Sequence, residues 1–132
     1  MTNPDIEIYV KNINAEILSS WLSETFSHVD FPNLSNEAFY KGKIIQGRTT
    51  TKNSENITVI VTPHAAGKSF CSIWFKSDKT PWVNDEACAL AFLESHDTEV
   101  RCANGGWTEL EEKESEQWLC LTQNEKKLIH WG

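Results

Sequence analysis

The longest uninterrupted apolar run in this chain is the seven residues from Ala87 to Leu93. A membrane-spanning helix needs about 20, so no span is expected. The opening Met1-Thr2-Asn3-Pro4-Asp5-Ile6-Glu7 has neither a basic stretch nor an apolar one, so no signal peptide is expected. Cys71, Cys88, Cys102 and Cys120 stand too far apart for the C-x-x-C spacing of zinc and redox sites. A cytoplasmic protein with four reduced, packed thiols is the expectation. His28, His64, His96 and His130 never fall three or four positions apart, which withholds the ligand pairs one helix can offer a metal. Basic charge is in deficit: 12 Lys and Arg face 19 Asp and Glu, for a net charge of −7. A field of that sign repels phosphate backbones, so no nucleic-acid partner is expected. Nothing in the sequence calls for a cofactor.

What is present describes one domain over residues 1–132. Ile6 to Val10 alternates as a half-buried strand does. Asn14 can cap a helix running through Phe26, with Glu16 in its first turn and Ile17, Leu18, Trp21, Leu22 and Phe26 on one face. Pro32 to Asn36 reads as a loop, and Phe39 to Arg48 as a strand in which Gly42 and Gly47 mark a bend or bulge. Ile57 to Thr62 is strongly β-branched. Ser69 to Lys76 sets Cys71, Ile73 and Phe75 on one face and Phe70 and Trp74 on the other, the pattern of a central strand. A second helix starts at Thr80-Pro81 or at Asn84 and runs through Ala87–Leu93. Its apolar positions go nearly all round, so something besides a sheet must cover Phe92: Trp82, the 107–117 segment, or a second copy in a homodimer. Thr98 to Ala103, Trp118 to Thr122 and Lys127 to Trp131 complete the strands.

These elements define an α+β fold: an antiparallel or mixed sheet of about six to seven strands with two helices packed on it. The two halves of the chain each read strand, helix, then strands, which raises the reading of two βαββ pseudo-repeats. In coarse order alone that doubled pattern resembles the vicinal oxygen chelate modules. The resemblance implies metal ligands from paired strands of the two halves. Here the first strand offers Glu7 and the last His130, but Ser69 to Lys76 offers no His or Glu, so the ligand set is incomplete.

Thr62 to Ser69 ends in Gly-Lys-Ser like a phosphate-cradling loop, yet Thr62 replaces the first glycine and a strand pattern follows it. The site needs a helix N-terminus there, so a plain hairpin turn is expected. Tryptophan is abundant, with five of six in the more acidic second half. Trp107 and Trp118 flank Glu109-Leu110-Glu111-Glu112-Lys113-Glu114-Ser115-Glu116, five carboxylates against one lysine. An acidic segment between aromatics can steer and dock a basic protein. Trp107, Glu109, Glu111, Glu112, Glu114 and Trp118 are therefore the candidate binding residues of a non-enzymatic, acidic protein-interaction domain. The alternative is a small vicinal-oxygen-chelate-like enzyme or ligand-binding protein using Glu7 and His130.

Overall fold

The computed structural model describes residues 5–65, 69–77, 79–103 and 117–130. The chain runs β1 (Ile6–Lys11), α1 (Ala15–Thr25), β2 (His28–Asp30), α2 (Asn36–Lys41), β3 (Ile45–Thr50), β4 (Asn56–Thr62), β5 (Phe70–Lys76), α3 (Asp85–Ser95), β6 (Val100–Ala103), β7 (Gln117–Leu121) and β8 (Lys126–His130). All eight strands join one antiparallel sheet in the order β2-β3-β4-β5-β1-β6-β7-β8. The α+β class holds, with three helices and eight strands among the described residues where two helices and six to seven strands are expected.

The alternation in β1 does what its pattern dictates. Ile6, Ile8 and Val10 are buried against the helices, while Glu7, Tyr9 and Lys11 turn to the other face. The row extends sideways through Ile73, Val61 and Ile45 and through Phe75 and Val59, giving one continuous apolar floor. β5 lies between β4 and β1, the central place its two apolar faces imply. α1 begins at the expected cap: the Asn14 side chain accepts from the Ile17 N–H at 2.9 Å. α3 takes the later of its two possible starts, with Asn84 accepting from the Ala87 N–H at 2.8 Å.

Of the strand expected over 39–48, residues 45–48 lie in β3, while 39–44 depart from it. Ser35 accepts from the Ala38 N–H and opens α2, and Gly42 closes it in the left-handed conformation at φ 70°. A Cβ on Gly42 would also press on His64 Nδ1. Two residues of this stretch read as β formers, Phe39 and Tyr40, but the cap at each end outweighs them. Gly47 has a different duty. It sits on β3 facing the helices, and a Cβ there would drive into the Phe31 ring that lies on it. It marks a close approach rather than a bulge.

Phe92 is fully buried, and its cover is Trp21 of α1, edge-on with ring centroids 4.9 Å apart. Of the covers expected from the sequence, Trp82 joins the same cluster through Trp21, and most of the 107–117 segment lies outside the described residues. Trp82 stacks on the far side of the cluster, 5.5 Å from Trp21 with planes 9° apart. Leu90, in contrast, is 46% exposed.

The two halves share an element order but not positions in the sheet. After α1 the chain goes to the outer edge and meanders inward from β2 to β4. After α3 it enters beside β1 and meanders outward from β6 to β8. A twofold exchanging β1 and β5 would equate β4 with β6, strands at different places in their halves.

Phe92→Ala should cost about 3–5 kcal/mol in urea unfolding, since it empties a packed site. Leu90→Ala should stay within about 0.5 kcal/mol, as exposed positions do. Equal losses would contradict this placement of α3.

Candidate functional site

The sheet has two unlike faces. Away from the helices, one cross-strand row reads Thr62, Ser72, Tyr9, Arg101, Cys120, Lys127. Tyr9 meets Trp118 edge-on at 5.3 Å, and Arg101 lies over the Phe70 ring at 4.6 Å. Lys76 lies over Trp74 at 5.0 Å. Arg48, Thr58 and Lys76 form a neighbouring row. This face carries Lys11, Arg48, Lys76, Arg101 and Lys127.

Of the candidate binding residues, Trp107, Glu109, Glu111, Glu112 and Glu114 lie outside the described residues. Trp118 stands half-buried on β7, paired with Ala103 and Ile129. Glu7 and His130 are on β1 and β8, with β6 and β7 between them. The Glu7 carboxylate accepts from Ser72 Oγ at 2.7 Å and faces the Tyr9 hydroxyl, whose pKa is raised by burial and by Glu7. Among the described residues no three His, Cys, Asp or Glu side chains converge as a metal site.

The four cysteines are free and buried, as expected for packed thiols. Burial pushes the Cys71 and Cys102 thiols up to about 12, and Cys88 well above its ordinary value. Cys120 is raised by burial and by its bond to Glu99, donating to Oε2 at 3.1 Å. Burial alone would raise the Glu99 carboxyl. Hydrogen bonds from Cys120 and from Arg101 Nε at 2.7 Å overcome it and hold Glu99 low. Protonated thiols are poor nucleophiles, so this set favours structure over cysteine catalysis.

One carboxyl is perturbed the other way. β1 pairs with β6 only at Tyr9–Arg101 and Val10–Val100. Where the strands part, Asp85 Oδ1 takes the Glu7 N–H at 3.1 Å. Burial raises Asp85 to about 6, against the lowering effect of that bond.

The helix side has a feature that spacing arguments pass over. Residues 12–40 and 80–100, which hold α1 and α3, contain no Lys or Arg and nine acidic residues. Glu16, Glu24, Glu94 and Asp97 are exposed. Ser95 Oγ donates to Glu24 Oε1 at 3.3 Å, which brings the C-terminal ends of the two helices together. No basic residue lies in the last turn of either. The signal was available in the sequence as an absence rather than a run. A cleft of about 620 Å³ along α1 adds only hydroxyls and Glu16 over Val29, Phe31 and Leu34. No helix among the described residues is long and apolar enough to cross a membrane.

No protein-family model, no curated protein and no solved structure matches this chain.

A thiol reagent should label none of the four cysteines rapidly in the native state and all four in denaturant. Fast native labelling of any one would contradict their burial. Asp85 gives a pH signature. Folded, it holds its proton to about pH 6, and unfolded only to the ordinary range near 4. Its contribution is therefore full below about pH 4 and is lost as pH climbs to 6. Against Asp85→Asn, the wild type should lose relative stability to urea across that window. A difference that stays flat would contradict the shift.

Proposed function

We propose that this chain is a non-enzymatic interaction domain that binds a basic protein through an acidic surface. The observation carrying this reading is the absence of Lys and Arg from the segments that build α1 and α3, against nine acidic residues there.

Helix physics explains only some of those acids. Glu16, Asp85 and Glu86 sit in first turns, where negative charge is favourable. Glu24 and Glu94 sit in last turns, and Asp97 just beyond one, where it is unfavourable by roughly a few tenths of a kcal/mol each. Folding alone gives no reason to collect them where two helix C-termini meet. A cationic partner does, because its charge would relieve the repulsion. The Glu109–Glu116 run adds acid in sequence and is the second place such a partner could engage.

Immobilised protein should retain polylysine at low salt and release it as ionic strength passes about 0.15 M, where the Debye length is near 8 Å. It should not retain polyglutamate. Reversing Glu24, Glu94 and Asp97 to Lys should lower retention. If only reversal of Glu111, Glu112 and Glu114 does so, the docking surface belongs to the 109–116 segment. Salt-insensitive retention, or retention of polyglutamate, would contradict the reading.

A further inference from the structure

Among the described residues the helical layer is one helix short of covering the sheet. Eight strands at roughly 4.8 Å spacing make a sheet about 34 Å wide, and a helix with its side chains covers about 10–12 Å. Toward β2 the layer is closed by α1 and by Phe31 seated on Gly47. Toward β8 it stops early. α3 lies over β1, β6 and β7. Along the row Cys102, Leu119, Leu128, exposure goes from 0% to 5% to 54% in passing from β6 through β7 to β8. The step falls within one strand spacing.

The result is a ledge. Its floor is Leu128, and its wall is the flank of α3, where Glu86 and Leu90 occupy successive turns. Lys126, two residues before Leu128 on the same face of β8, reaches across to Glu86 Oε2 at 2.7 Å and ties floor to wall. Val83, just before the helix cap, is 68% exposed. Three of the five large apolar side chains most exposed among the described residues thus flank α3: Val83, Leu90 and Leu128. Glu94 lies one turn beyond Leu90, and Asp97 follows the helix end.

We propose that this ledge docks an amphipathic helix supplied by a basic partner protein. The helix lies beside α3, with its apolar face on Leu128 and Leu90 and its Lys or Arg side chains toward Glu94 and Asp97. This rests on the reading that the partner is basic. Width argues for a helix, since that is what the described part of the layer leaves room for. Charge argues against a second copy of this chain, whose own α3 would bring carboxylates against carboxylates, whereas Lys126 is already neutralised by Glu86. Apolar anchors on one helical face, flanked by charge, are a recurrent way for a helix to enter such a site.

Two synthetic peptides of leucine and lysine with identical composition test it. One places its leucines on a single helical face, and the other scrambles them. At moderate salt the amphipathic peptide should bind at least about tenfold tighter than the scrambled one. Leu90→Asp and Leu128→Asp, both at exposed positions and each checked for unchanged urea stability, should bring it down to the scrambled level. Reversal of Glu111, Glu112 and Glu114 to Lys should leave the preference intact. Equal binding of both peptides would overturn the ledge while leaving the basic-partner reading standing. No binding of either at low salt would overturn both. A wild-type dimer that Leu128→Asp dissociates would make the ledge a self-contact and overturn the partner helix.

Discussion

Trp21 is where both long helices and the sheet meet. Its ring touches Phe75 from the sheet at 6.1 Å, Phe92 from α3 at 4.9 Å, and Trp82 at 5.5 Å in a near-parallel stack. Phe26 and Phe75 close the group against Trp82. Aromatic pairs of this kind contribute about 0.5–1.5 kcal/mol beyond the area they bury. The larger consequence is geometric. α3 has apolar residues nearly all round, and one sheet cannot bury them. With Trp21 covering Phe92 from the side, the remaining outward positions of α3 are released from packing. Those positions carry Leu90, Glu86 and Glu94.

Once the core is closed from within, the outward faces of α1 and α3 carry acidic charge alone. α1 and α3 are bare of Lys and Arg, while the opposite sheet face bears Lys11, Arg48, Lys76, Arg101 and Lys127 beside Glu7, Asp30 and Glu99. A uniform net charge of −7 would only keep the chain soluble. In the proposed reading, acidic charge on α1 and α3 orients the molecule toward a basic partner, and the exposed Leu90 and Leu128 give that partner an apolar place to settle.

Much of the fold was legible because its signals are local. β1 alternates, Asn14 and Asn84 cap, and β5 is apolar on both faces, so each fixes its own state. The misses have equally physical causes. β2 is three residues on a sheet edge, too short to show a period. α2 is a single turn and a half whose Phe39 and Tyr40 favour strand, and only the Ser35 cap and the left-handed Gly42 reveal it. Gly47 looked like a bulge because its partner, Phe31, lies 16 positions away in sequence. The cover of Phe92 is a tertiary contact between helices more than 70 residues apart, which no periodicity encodes. On the functional side, the contiguous acids at 109–116 stood out, and the helix acids did not. Turn-by-turn spacing spreads them through two segments, and only the fold brings those segments to one surface.

Acidic charge on the outward faces of α1 and α3 is the claim on which the functional account stands, and paramagnetic cosolutes read it directly. Amide relaxation would be measured with a cationic nitroxide and again with an anionic one of the same size. The account predicts that the exposed positions of α1 and α3, around Glu24, Leu90 and Glu94, relax more with the cation. The row through Arg48 and Lys76 should show the reverse preference. Equal relaxation by both probes on the helical layer, or a preference there for the anion, would contradict it.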